Sequence, residues 1–331
     1  MCIGEEKLMK RSFICLATIF CLSFLSANLK LVKGYSGDVI TAYFSDTPIS
    51  WNGFVTGEEW SGHNATVFIS ADELGTNVFL IKYDAKSSNL YASLYVKSDD
   101  TPEDYDFAYL FLDMDHDDGD EPDADDYVFV IGRYGLLYDF AYNDRTEEWD
   151  ESLNYTTEWT AYYASLEDNW GAMWIIPMAV SDNQRIGIAV RQFDYPAESI
   201  SSFPITMHPF IPSAWAEVVF LKLPSSIGIS SSPASVTYGE TVVLSASIDQ
   251  TVSRGTVTFQ YKEEEGDWTD IADGTPVDGK LSHHWTPPSA GSYSIRSIWT
   301  GDIVYTGSTS TAITLTVKKA SSSASTSLSS S

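Results

Sequence analysis

Past residue 34 this chain shows almost no helical periodicity. Apolar residues do not recur at three- and four-residue spacing. Instead, runs rich in Val, Ile, Tyr, Phe and Thr alternate with clusters of Gly, Pro, Asn, Asp and Ser. That pattern specifies strands separated by turns. Ten such runs fall at 66–69, 78–83, 90–97, 107–113, 127–132, 136–142, 157–164, 171–179, 185–193 and 216–223. The run Phe107-Ala-Tyr-Leu-Phe-Leu112 is apolar at both parities of the pleat. Both of its faces must therefore be covered, as in a central strand of a sandwich. The expected fold class is all-β.

A boundary falls at Leu223-Pro-Ser-Ser226. Beyond it the composition shifts to short Ser/Thr/Val strands, at 227–231, 241–248, 255–261, 268–271, 280–285, 291–299 and 312–317. About seven strands in roughly ninety residues is the pattern of an immunoglobulin-like sandwich. A Ser/Thr/Ala tail follows, which cannot bury apolar surface and is expected to be disordered. It suits a glycosylated stalk or a linker. The domain scheme is therefore 1–34 a signal peptide or N-terminal anchor, 35–224 a larger sandwich, 225–318 an Ig-like domain and 319–331 the tail.

The leader carries Lys7, Lys10 and Arg11 ahead of an apolar stretch at 12–25, too short to span a bilayer comfortably. All three cysteines (Cys2, Cys15, Cys21) lie within it. The exported chain then has no disulfides, and its stability must come from core size and bound metal. Export also suits the sequons at Asn64 and Asn154. The expected location is secreted or cell-surface, with membrane contact only through the leader or a C-terminal anchor beyond Ser331.

The formal charge is −27, most of it within residues 35–224. A surface so acidic excludes nucleic acid and anionic lipid as partners. It suits calcium, a salty environment or a neutral ligand. The charge peaks in one loop, residues 113–126, where nine of fourteen residues are Asp or Glu. Crowded carboxylates repel one another, and a hard cation taking six to eight oxygen ligands relieves that repulsion. The expected calcium ligands are Asp113, Asp115 and Asp117 with a later carboxylate, Asp123 or Asp125. The spacing is not that of an EF-hand, because Gly119 is seventh rather than sixth and Ala124 stands at position twelve.

Two stretches resemble known families. Gly291-Ser-Tyr293 resembles a tyrosine corner, with Ile295 where antibody domains place a cysteine, and Gly301-Asp-Ile-Val-Tyr305 with Ser308-Thr-Ser310 is similar to the ending of bacterial Ig-like domains of the large-surface-protein group. Residues 38–223 resemble carbohydrate-binding family 9 and DOMON-like sandwiches. The likeness rests on Ile49-Ser-Trp-Asn-Gly-Phe-Val-Thr-Gly-Glu-Glu-Trp60, on 90–96, on 107–113 leading into the acidic loop, and on Trp174-Ile-Ile-Pro177. The glutamate usual in that late strand is replaced here by Met173 and Trp174. The resemblance implies a jelly-roll-like β-sandwich with structural calcium and, in some members, a sugar site.

Sugar sites pair exposed aromatic faces with carboxylates and amides, because the C–H face of a pyranose packs on a ring and its hydroxyls need partners. The segment from Trp149 to Trp174 is rich in both. Trp149, Trp159 and Trp170 stand among polar residues and are the expected exposed rings; the other aromatics of the segment are expected to fill the core, and Trp51 and Trp60 to pack the end of the sandwich. Nothing singles out a hydrolytic carboxyl pair; Glu217, flanked by Ala216 and Val218, is either a carboxyl in an apolar pocket or simply an outward residue. Neither the five histidines nor the methionines fall in a zinc or haem pattern. Two readings compete. One is a non-catalytic secreted or surface protein binding a polysaccharide or cell-surface glycan through a calcium-stabilised sandwich, with the Ig-like domain as spacer. The other is a purely structural or adhesive surface protein.

Overall fold

A computed structural model describes residues 39–49, 65–71, 75–97, 103–117, 119–153, 155, 157–165, 169–195, 199–205, 207–264 and 266–320, without the side chains of 65–71, 75–76 and 199. The leader, Trp51, Trp60, both sequons and residues 321–331 lie outside that set. Among the described residues the structure is β throughout, apart from a 3-10 turn at Pro212–Ala214.

The chain divides into two compact units between Leu221 and Lys222. The first contains β1 (Val39–Ser45), β2 (Ala65–Ala71), β3 (Gly75–Asp84), β4 (Asn89–Val96), β5 (Phe107–Asp113), β6 (Asp126–Gly132), β7 (Leu137–Asn143), β8 (Glu148–Asp150), β9 (Thr160–Ser165), β10 (Trp170–Pro177), β11 (Arg185–Asp194), β12 (Ser199–Phe203) and β13 (Ala216–Leu221). Their order is β8-β7-β6-β5-β11-β13-β1, then onward from β1 through β3-β4-β10-β9, with β12 on β11 and β2 on β3. The strand β1 belongs to both halves. Val39–Tyr43 pair in parallel with β13, and Phe44 and Ser45 pair in parallel with β3. The two halves, called here sheets one and two, fold face to face over a shared core that includes Leu110, Phe129, Trp174, Ile188 and Val218 from several strands of each.

Alternation along β5 explains why that strand is apolar throughout. Ala108, Leu110 and Leu112 point between the sheets. Phe107, Tyr109 and Phe111 point the other way, into a second cluster with Val128, Phe140, Trp149, Met207 and Trp215. The outer face of sheet one is thus covered by side chains from the connection into β13, and every residue of β5 is buried. Each large side chain so buried contributes roughly 1.5–3 kcal/mol.

The second unit packs a sheet of β14 (Ile227–Ser232), β16 (Val242–Ile248) and β19 (Lys280–Trp285) against one of β15 (Ser235–Thr237), β22 (Ile313–Lys318), β20 (Gly291–Gly301), β17 (Val257–Lys262) and β18 (Thr269–Gly274), with β21 (Thr306–Thr309) on β20. Leu244, Phe259, Trp285, Ile295, Trp299 and Leu315 form its core. Tyr293 closes the expected corner: its hydroxyl donates to the Ser289 carbonyl at 2.9 Å and accepts from the Ser289 N–H at 3.1 Å. Gly255 has φ +73° and lies so close to the Gly301 carbonyl and the Trp299 indole that no side chain fits there. The division falls slightly ahead of the Leu223–Ser226 punctuation because Leu223 bridges to Tyr305, donating to the Val304 carbonyl at 2.9 Å and accepting from the Thr306 N–H at 2.8 Å.

Candidate functional site

The β5–β6 loop begins and ends on a buried acid. Asp113 and Asp126 face each other across the ladder, and both are almost wholly buried. Inside the loop, the Asp123 N–H donates to the Asp126 carboxylate at 2.9 Å and the Asp126 N–H to the Asp123 carbonyl at 3.1 Å. The His116 N–H donates to Asp113 Oδ1 at 2.6 Å, and the Gly119 N–H to Asp117 Oδ1 at 2.8 Å. These bonds reverse the chain so that Asp115, Asp123 and Asp125 each bring a carboxylate oxygen within 4.8 Å of the others.

That trio contains three of the five expected ligands. Asp115, Asp123 and Asp125 converge, and Asp113 and Asp117 stand outside them. Asp113 is the last residue of β5, so the pleat fixes its direction: it packs against Gly187 of β11, where a Cβ would lie 2.9 Å from its carboxyl oxygen. Asp117 is engaged in its own turn.

The crowding is visible in the acidities. Burial, followed by the hydrogen bond and charge of Asp123 and the charges of Asp115 and Asp113, pushes Asp125 up to about 7. Burial, together with the charges of Asp113, Asp123 and Asp125, pushes Asp126 up to about 9 against the opposing Asp123 backbone bond. Burial and then Asp117 and Asp123 also raise Asp115. A carboxyl whose folded pKa exceeds its unfolded value binds more protons when folded. Its stabilisation is complete in acid below about pH 4 and is lost as pH rises through the folded values of about 7 and about 9. In chelator, the first unit should therefore melt at a lower temperature at pH 8 than at pH 5. Equal melting temperatures would show that these carboxyls titrate normally.

Next to this loop, Glu217 accepts from Arg185 and lies 2.9 Å from His116 Nε2. Of the two alternatives for Glu217, this pairing with charged and polar side chains favours the outward residue over a carboxyl in an apolar pocket.

The three tryptophans separate. Trp170 is 1% exposed and lies in the core between the sheets. Trp149 is 6% exposed and packs edge-on to Phe111 and Tyr142 on the outer face of sheet one. Neither ring can stack on a sugar, which corrects the expectation for both. Polar neighbours in sequence do not reveal cover supplied by distant segments such as Met207–Trp215. Trp159 is half-buried, edge-on to Phe129 at 5.3 Å.

Two further half-buried rings join Trp159. Tyr155 meets Tyr127 at 4.9 Å and Phe129 at 5.3 Å, both edge-on. The Tyr155 N–H donates to Asp139 Oδ2 at 2.9 Å, and its hydroxyl donates to the Pro177 carbonyl at 2.8 Å. Tyr127 leads back to the acidic loop, since burial and then the Asp125 and Asp126 charges raise its phenol. A row of rings, Tyr127–Tyr155–Trp159, thus starts beside the carboxylate trio. The run 157–164 signals the strand that Trp159 leads into, while Tyr155 and Tyr127 carry no local mark of partial exposure.

Comparison with known proteins gives the class of the second unit: residues 229–318 match the family model of the bacterial Ig-like domain, group 3. No curated protein matches the sequence. Among solved structures, the chain is similar to a carbohydrate-binding module of family 9 from Caldicellulosiruptor kristjanssonii in complex with cellotriose, with 15% identity and a TM-score of 0.43 over 56% of this chain and 94% of that one. The complex of such a module with glucose gives 16% identity and 0.43 over 55% and 95%. The adhesin InvE of Yersinia pseudotuberculosis gives 11% identity and 0.24 over 63% and 58%.

Proposed function

We propose that residues 39–221 form a non-catalytic carbohydrate-binding unit of a secreted or surface-displayed protein, carrying calcium on the 113–126 loop, with the Ig-like unit as spacer. The observation that carries this reading is the set of half-buried rings Tyr127, Tyr155 and Trp159 gathered around Phe129, with the Asp139 carboxylate bonded to the Tyr155 N–H. That combination suits a neutral sugar, whose C–H faces pack on rings and whose hydroxyls need acceptors. Hydrolysis would require one carboxyl held protonated beside the bound chain. Near the rings, Asp150 is held below its ordinary range by Ser152 and then Asn143, and the raised Asp125 beside Tyr127 belongs in this reading to the cation trio. The full chain should bind soluble neutral polysaccharides on affinity gels, and Trp159→Ala should weaken binding by about 1–2 kcal/mol while leaving the melting curve nearly in place. A chain that ignores every polysaccharide tested would leave the structural or adhesive reading.

The carboxylate trio suits calcium by its hard oxygen donors and by the repulsion among them. When bound, a divalent cation supplies the charge that lets these carboxyls stay ionised. Calcium at about a hundred times its dissociation constant should add about 2.7 kcal/mol to stability, and less in a weak site. The melting temperature should rise with calcium and fall with chelator, more steeply at pH 8 than at pH 5. Asp123→Ala combined with Asp125→Ala should remove that response. Melting curves that overlay with and without calcium would sink the calcium assignment and leave the sugar reading standing.

A further inference from the structure

Sheet one continues past β6 to β7 and β8, whereas sheet two ends at β9. Three contacts place β9 over β6. Trp159, at its entrance, meets Phe129 edge-on, Arg133 Nε donates to Ser165 Oγ at 2.8 Å, and the Tyr163 hydroxyl rests on Gly135, where any side chain would collide with it. Among the described residues, no strand lies across the core-facing side of β7. Cross-strand neighbours on that face show the change: Ile131 is 0% exposed and its partner Leu137 is 46% exposed. Farther along the same face lie Asp139, opposite Phe129, and Asp150, opposite Ala141.

The overhang makes a strip with two sides. Its floor carries Leu137, Asp139 and Asp150. Its wall carries Tyr155, Trp159 and Tyr163, the last 47% exposed. Tyr155 is pinned to both sheets, by Asp139 on one and the Pro177 carbonyl on the other, and so fixes the width of the strip. Asn143 and Ser152 donate to Asp150, which keeps its carboxylate ionised and aimed.

We propose that this strip is an extended-chain site for a neutral polysaccharide, with successive sugar units stacked along Trp159 and Tyr163 and their hydroxyls donating to Asp139 and Asp150. The proposal rests on the carbohydrate reading and adds the form of the ligand. Trp159 stands just ahead of β9 and Tyr163 within it, four residues apart, roughly 13 Å along an extended chain. A single sugar ring does not reach both, so a ligand that uses both is a chain. Among the described residues named on the floor, the charged groups are carboxylates, and the Arg133 guanidinium nearby is buried against Asp106. An anionic polymer is repelled, and a neutral one finds acceptors.

The test is calorimetric titration of the full chain with neutral β-glucan, xylan and mannan oligosaccharides of increasing length. Affinity should rise with length and then level off. Tyr163→Ala should weaken the longest ligands about tenfold, leave the shortest binding oligomer unchanged and flatten the length dependence. Tyr163→Phe, which keeps the ring, should behave as the native chain. Two results overturn the extended-chain site while leaving carbohydrate binding intact: affinity independent of length, or a length dependence that survives Tyr163→Ala. Dimerisation of the sugar-free chain that Tyr163→Ala abolishes would assign the strip to a second copy and overturn the proposal as well. Binding to no oligosaccharide at all removes the carbohydrate reading and this site with it.

Discussion

Trp170→Ala should cost about 3–5 kcal/mol of folding stability, and Trp149→Ala a similar amount, because each removes a buried indole from a packed cluster and leaves a cavity. Trp170 sits between the sheets with Trp174, Phe129 and Ile131. Trp149 sits between Phe111, Tyr142 and Phe210 on the opposite face of sheet one. Urea unfolding of the three variants at positions 149, 159 and 170 separates structural rings from binding rings. The midpoint should fall sharply for 149 and 170 with the slope preserved, and little for 159. A Trp149 or Trp170 variant of native stability that had lost polysaccharide affinity would reverse the assignment.

This division was only half legible in the sequence. The ten runs read as strands in the first unit all became strands, because alternation and turn residues are local signals. Those of the second unit did so as well, and the tyrosine corner formed where Gly291-Ser-Tyr293 foretold it. The short β8, the edge strand β12 and the opening strand β1 escaped notice, since their pairing depends on partners far along the chain. The same cause hid the fate of the tryptophans. Whether Trp149 meets solvent is decided by Met207, Phe210 and Trp215, which no local pattern connects to it. In the acidic loop the composition marked the segment where carboxylates crowd, but which of them converge depended on the strand ends. Asp113 is claimed by the pleat of β5 and Asp117 by its own turn. The strip on β7 was invisible, because it arises from one sheet being wider than the other.

Asp106→Ala should be comparably severe, at about 3–5 kcal/mol. Asp106 and Arg133 are both fully buried and pair at 3.2 Å. The carboxylate also accepts the Glu103 N–H at 3.0 Å and the Tyr195 N–H at 3.1 Å, and Arg133 reaches Ser165 on β9. Burial pushes the Asp106 carboxyl up despite these bonds. Removing it strands a buried guanidinium and two N–H groups, and the cost is dominated by that uncompensated charge. Replacing both partners together, Asp106→Leu with Arg133→Met, should recover much of the loss, because apolar side chains of similar volume need no partner. Thermal melts of the single and double variants form the check. A double variant no more stable than Asp106→Ala alone would show that the geometry of the bonds, rather than the charge, is what matters. Because Arg133 also ties sheet one to the β9 edge, the single variant should loosen the Tyr163 wall and weaken long oligosaccharides.

The shared strand β1 also governs when the first unit can form. Its residues Val39–Tyr43 lie beside Glu217–Leu221, the last strand of that unit, in a parallel pair. The opening segment therefore has no ladder partner from sheet one until almost the whole unit has left the ribosome, and sheet one cannot be closed in order of synthesis. Chains dominated by such distant pairings fold slowly and expose unpaired edges while they wait. Under the proposed secreted or surface-displayed role, that delay would keep the chain open and threadable while it crosses a membrane.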